Sequence, residues 1–183
     1  CRFDAGTADD GRSDLSLGLH YRGDLNAVMM CRLQLDAITS AKFEVGFTDV
    51  VSGTDAGAVN VLATPSYNAN DWVGWCFDTD DAGNAVNIQA TGVAATVVAT
   101  KIEPTLAPVA ATYITLGVAL RDTNALFFAL DANGLLTYDS DWMTGAVTAT
   151  VLLTPWVFVQ NRSAAQRILD VDFIWAWQRR TAS

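Results

Sequence analysis

Glutamate, lysine, histidine and cysteine are all scarce in these 183 residues. Glu44 and Glu103 are the only glutamates, Lys42 and Lys101 the only lysines, and His20 the only histidine. Glu and Lys fill the exposed faces of most helices, so their scarcity argues against a helical protein. The three cysteines, Cys1, Cys31 and Cys76, are too few for a disulfide scaffold. With no CxxC pair and one histidine, the chain also lacks the usual materials of a zinc site or a Ser–His or Cys–His catalytic pair. Cys31 and Cys76 lie in apolar stretches and are expected to be buried free thiols. His20, beside Tyr21, reads as a surface or packing residue. No apolar run approaches the roughly 18 residues of a membrane helix. A net charge of −9 and a pI near 4.3 exclude the basic surface that nucleic acid requires. A chain that is 51% hydrophobic and 17% charged is not intrinsically disordered.

Asp, Asn, Gly and Thr are abundant instead, and they favour turns and strand surfaces. Short apolar stretches alternate with turn signals about every ten residues, the rhythm of a sandwich or barrel. Strands are expected at 29–35, 42–48, 72–77, 91–101, 113–121, 124–130, 135–138, 146–153 and 156–160. In 42–48, Phe43, Val45 and Phe47 share a face while Glu44, Gly46 and Thr48 point the other way, as in a half-buried strand. Asn133-Gly134 marks a hairpin between 124–130 and 135–138. Residues 163–167 are expected to form a short helical turn. The last stretch, 168–178, places Leu169, Val171, Phe173, Trp175 and Trp177 on one face, which predicts a long strand lining the core. The expected fold is all-β, a sandwich of two antiparallel sheets with roughly 11–13 strands. Residues 1–16 form an N-terminal arm or first strand, and 17–183 a single domain. The chain begins Cys1-Arg2-Phe3-Asp4, with no initiator Met and no signal-like stretch, and is expected to be processed or part of something longer.

Three passages resemble the concanavalin A-like lectin/glucanase superfamily. They are Phe43-Glu44-Val45-Gly46-Phe47-Thr48-Asp49, the 113–138 meander with Asp131-Ala132-Asn133-Gly134, and Leu169-Asp170-Val171-Asp172-Phe173-Ile174-Trp175-Ala176-Trp177. The resemblance implies a jelly roll. More narrowly, Gly46-Phe47-Thr48-Asp49, Cys76-Phe77-Asp78-Thr79-Asp80 and the turn from Arg162 to Arg167 look like the lectin-like structural domains of tailed-bacteriophage virions. The resemblance spans roughly residues 17–180. The family's glycosidases carry Glu-x-Asp-x-x-Glu on one strand, because retaining cleavage needs two closely spaced carboxyl groups. Neither glutamate here stands in that pattern, so no catalytic residue is assigned.

Asp78, Asp80, Asp81 and Gly83 partly imitate a calcium loop, but Ala82 and Gln89 stand where the fifth and twelfth ligands belong. A solvated turn is expected, with no metal and no cofactor. Of the six tryptophans, Trp72, Trp75, Trp156, Trp175 and Trp177 are expected in the core. Trp142, in the polar loop after Tyr138, is the one candidate for stacking on a glycan. Arg22-Gly23-Asp24 spells an adhesion tripeptide of a length that chance supplies. Arg179 and Arg180 read as a solvated tail or a contact for an acidic neighbour. The resulting expectation is a non-enzymatic virion protein in capsid decoration or in a tail or fibre. Its partners would be other virion proteins and identical copies in a homo-oligomer, with no nucleic acid and no membrane. The alternative is a lectin-like module recognising host glycan.

Overall fold

The computed structural model describes residues 1–51 and 57–180. Its strands are β1 (Arg2–Asp4), β2 (Arg12–Ser16), β3 (Val28–Leu35), β4 (Ala41–Thr48), β5 (Val59–Val61), β6 (Ser66–Tyr67) and β7 (Trp72–Asp78). They continue with β8 (Gln89–Ala94), β9 (Val97–Val98), β10 (Ile114–Arg121), β11 (Asn124–Leu130), β12 (Leu136–Asp139), β13 (Thr154–Asn161) and β14 (Ile168–Trp177). One short 3-10 turn, Gly23–Leu25, is the helical part of the described residues. The first sheet runs β1-β14-β3-β10-β11-β12 and the second β2-β13-β4-β7-β8-β9, with β5-β6 as a separate ribbon. All pairs are antiparallel. The expected all-β sandwich of two sheets is what the chain forms.

Alternation builds the main core. Met29, Cys31 and Leu33 of β3 and Leu116, Val118 and Leu120 of β10 face Phe43, Val45 and Phe47 of β4. Each such side chain contributes about 1.5–3 kcal/mol when fully buried. Trp75 sits at the centre, edge-on to Phe127 at 5.4 Å, and donates its indole N–H to Gly117 O at 2.9 Å. That bond satisfies the polar atom that burial would otherwise leave costly. The N-terminal arm supplies one strand to each sheet: β1 pairs with β14 and β2 with β13. Pro155 lies in β13 one residue before pairing with β2 begins at Trp156, so its missing N–H breaks no rung there.

Five expectations are corrected. Residues 91–101 are not one strand, because Ala95 and Thr96 take positive φ (45° and 73°) and turn β8 into β9. Residues 146–153 form turns, with only an isolated bridge from Leu153 to Tyr21. Residues 163–165 form bends and 166–167 are irregular, with no helical turn. β4 is buried on both faces, Glu44 included, and is not a half-buried strand. The fifth concerns β14. Leu169 and Val171 face the core, but the register against β3 shifts between Val171 and Phe173. Asp172 is thereby the extra residue of a β-bulge, and every later side chain changes face. Ile174 now packs on the core, while Phe173, Trp175 and Trp177 point outward at 38%, 48% and 49% exposure.

Candidate functional site

The two outer faces of the sandwich are treated in opposite ways. On the second sheet, outward residues of β4, β7 and β13 are covered by the chain's own segment around β5 and β6. Ala58, Val59, Leu62 and Ala69 pack on Trp72, Cys76, Trp156 and Phe158 in a second apolar cluster. Glu44 pins this segment. Its carboxylate accepts from Ala58 N at 2.8 Å, Val59 N at 3.0 Å and Trp156 Nε1 at 3.0 Å. Lys42 Nζ lies 2.9 Å from the same carboxylate and donates to Val59 O. Both side chains are fully buried. Gly57 takes φ +85°, and a Cβ there would come within 2.5 Å of Glu44 Oε1, so only glycine lets the segment approach. The Glu44 carboxylate is therefore enclosed by backbone and indole N–H groups and the Lys42 ammonium.

The turn after β7 is closed by its own side chains. Arg162 forks onto Asp78, and Asp81 Oδ2 accepts from Gln89 Nε2 at 2.5 Å. Burial alone would raise the Asp81 carboxyl. Hydrogen bonds from Gln89 and Gly83, with Lys101 at 3.8 Å, outweigh it and hold the group below its ordinary value. Among the described residues, no group of three or more His, Cys, Asp or Glu could hold a metal ion. Burial pushes the Cys31 thiol up to about 12 and Cys76 well above its ordinary value, so neither is a nucleophile at neutral pH.

The outer face of the first sheet is open at its β14 side, where Phe173, Trp175 and Trp177 are exposed, and closed over Thr115, which is buried where Arg32 reaches across to Ala132 O at 3.3 Å. Cross-strand pairing sets its residues in rows. Trp177, Val28, Ala119 and Leu126 form one row, and Trp175, Met30, Gly117 and Phe128 the next. Phe173, Arg32, Thr115 and Leu130 form a third. The Phe128 ring lies across Gly117, where a Cβ would meet it at 2.1 Å. Arg32 is held over the Tyr113 ring at 4.4 Å and paired with Asp172 at 2.6 Å. Residues two apart on a strand stand about 7 Å apart, so Trp175 and Trp177 form a short aromatic ladder. At one end of this face, His20, Tyr21, Leu25, Trp177, Arg179 and Arg180 line an open groove of about 580 Å³.

Trp72, Trp75 and Trp156 are buried as expected, while Trp175 and Trp177 are not. Trp142 is 42% exposed, but it lies beyond β12, across the sheet from Trp177, and joins no aromatic ladder. The ladder itself escapes a reading by strict alternation, because a bulge leaves no mark in a two-residue period. The adhesion-like tripeptide is folded in: Gly23 is buried, and Arg22 pairs with Asp24.

No protein-family model and no curated protein matches the chain. Its fold is similar to those of solved structures. An alginate lyase, AlyC3, superposes with a TM-score of 0.60 at 11% identity, over 96% of this chain and 74% of that one. A Bacillus licheniformis β-glucanase gives 0.57 at 12%, over 93% and 79%. The carbohydrate-recognition domain of Emp46p gives 0.58 at 9%, over 98% and 83%. These likenesses show the fold, a jelly-roll sandwich of two antiparallel sheets.

Proposed function

We propose that the chain is a non-enzymatic structural sandwich of a tailed-bacteriophage particle, in capsid decoration or in a tail or fibre, acting through protein–protein contacts. The observation that carries the reading is the apolar outer face of the first sheet, with Phe173, Trp175 and Trp177 exposed on the part of β14 that lies beyond its pairing with β1. Exposed apolar patches beyond a few hundred Å² mark interaction sites on soluble proteins. The opposite face offers no cleft over β4, because the segment around β5 and β6 fills it and Glu44 holds that segment. The particle setting comes from the sequence resemblance alone. Mass spectrometry of gradient-purified, salt-washed particles from the source phage tests it. Peptides of this chain at the stoichiometry of other structural proteins are expected, and their absence would reject the setting.

A lectin-like reading is favoured by one separate feature. Trp177 stands beside the guanidinium groups of Arg179 and Arg180 around the open groove, an arrangement suited to stacking on a sugar ring and pairing with its carboxylate. The similar folds include proteins named as acting on or recognising carbohydrate. A glycan array distinguishes the two readings. Retention of an acidic glycan, abolished by Trp177→Ala and kept in Trp142→Ala, would favour the lectin.

A further inference from the structure

We infer that the occupant of the first sheet's outer face is a second copy of this chain, docked face to face about a two-fold axis. The inference rests on the protein–protein reading above and names its partner. The axis runs along the strands, between β3 and β10. These are the two middle strands of six, with β14 and β11 placed symmetrically on either side. Rotation about that axis lays β14 of one copy on β11 of the other at the same height. Trp177 then meets Leu126, Trp175 meets Phe128 and Phe173 meets Leu130, because the rows already align these residues within one sheet. Aligned sheets pack within about 30° of parallel, which the twist of each sheet accommodates.

Charge supports the same axis. Arg179 and Arg180 lie exposed just past Trp177, at the β14 side of the face. Asp139 and Asp141 lie exposed at the β12 side, near the same end, since Asp139 pairs with Phe128. None of these four side chains has an ion pair among the described residues. The two-fold brings the arginine corner of each copy to the aspartate corner of the other, twice per dimer. Within the face, Arg32 is already neutralised by Asp172, so docking strands neither charge. Four strands of about 4.8 Å width by eight residues of about 3.4 Å give a face of roughly 520 Å², with the four residues of β12 adding to one side. That lies below the approximately 800 Å² per partner of a standard interface and suits a weaker dimer.

Sedimentation velocity of the purified chain tests this, from about 1 to 100 µM at about 0.15 M salt, where surface charges act over only about 8 Å. A dimer is expected. Trp175→Asp should raise its dissociation constant by about thirtyfold or more, the size of a hot-spot truncation, with circular dichroism and melting unchanged. Arg179→Asp/Arg180→Asp should weaken the dimer, as should Asp139→Arg/Asp141→Arg, and the chain carrying all four changes should recover it. A monomer at the highest concentration overturns the inference, as does a dimer indifferent to Trp175→Asp or a four-fold variant that fails to recover. A monomer whose Trp177 fluorescence responds to acidic oligosaccharide also overturns it. The proteomics of purified particles decides separately whether the protein–protein reading survives such a result.

Discussion

Removing the Glu44 carboxylate should loosen the covered face of the second sheet before it disturbs the main core. Glu44→Ala leaves three donors without an acceptor, Ala58 N, Val59 N and Trp156 Nε1, and takes the carboxylate from beside Lys42 Nζ. Each buried unsatisfied donor costs about 1–3 kcal/mol, so three cost roughly 3–9 kcal/mol before relaxation. Water entering beneath the segment would recover part of this, and about 4 kcal/mol is the expected net loss. That is a large fraction of the roughly 5–15 kcal/mol by which domains are stable. Glu44→Gln keeps one acceptor oxygen but turns an amide donor toward other donors, so its cost should lie between parent and alanine. Urea unfolding gives the magnitude, and hydrogen exchange at Ala58 and Val59 gives the place. The double change Lys42→Met/Glu44→Leu should not recover the parent's stability, because the same three donors stay unsatisfied and Val59 O loses the Lys42 donor. A Glu44→Ala protein within about 1 kcal/mol of the parent, with both amides still protected, would refute the pinning argument.

Gly117→Val would drive a side chain into the Phe128 ring, and overpacking of this kind costs about 1–3 kcal/mol; unchanged melting would mean that the ring moves freely. In the folded protein Cys1 alone should react promptly with a disulfide reagent at pH 8, since Cys31 and Cys76 are buried with raised thiol pKa values, and all three should react in denaturant. Acid should destabilise the fold through Asp81. Its folded pKa is lowered, so the stability it contributes is present above the ordinary carboxylate value of about 4 and lost as pH falls through the folded value. Melting followed from pH 6 to pH 3 should therefore fall less steeply in Asp81→Asn than in the parent, and parallel slopes would contradict the assignment.

Much of the sandwich was legible because alternation and turn chemistry agree locally. The 113–138 meander is the clearest case: β10 and β11 fall within a residue of their expected bounds. Asp131 builds the following turn by accepting from the N–H groups of Asn133 and Leu135, with only Gly134 at positive φ. The stretches that misled are rich in Val, Thr and Ala, which suit a strand but do not demand one. Residues 91–101 and 146–153 carry that composition, and backbone turns at Ala95-Thr96 and after Ala146 decide their shape. The closure of the second sheet's outer face was illegible for a different reason. Glu44 alternates like a solvent-facing residue, and nothing near it in sequence announces that the segment 14 and 15 residues later supplies its partners.

The candidate site depends on the same kind of non-local choice. Read by period alone, Phe173, Trp175 and Trp177 join Leu169 and Val171 in the core, and the molecule has one polar outer face and little to bind with. One extra residue, Asp172, reverses this. Its carboxylate pairs with Arg32 on the outside of the sheet, at the point where the register slips. The two aromatic residues that would crowd the interior opposite Met29 and Cys31 are replaced there by Ala176 and Ile174. The main core thus closes with smaller side chains, and the large ones are placed in water at an energetic cost that the fold itself does not require. Three aromatic side chains held outward, on the part of β14 that β1 does not pair with, are the feature on which the proposed interface rests.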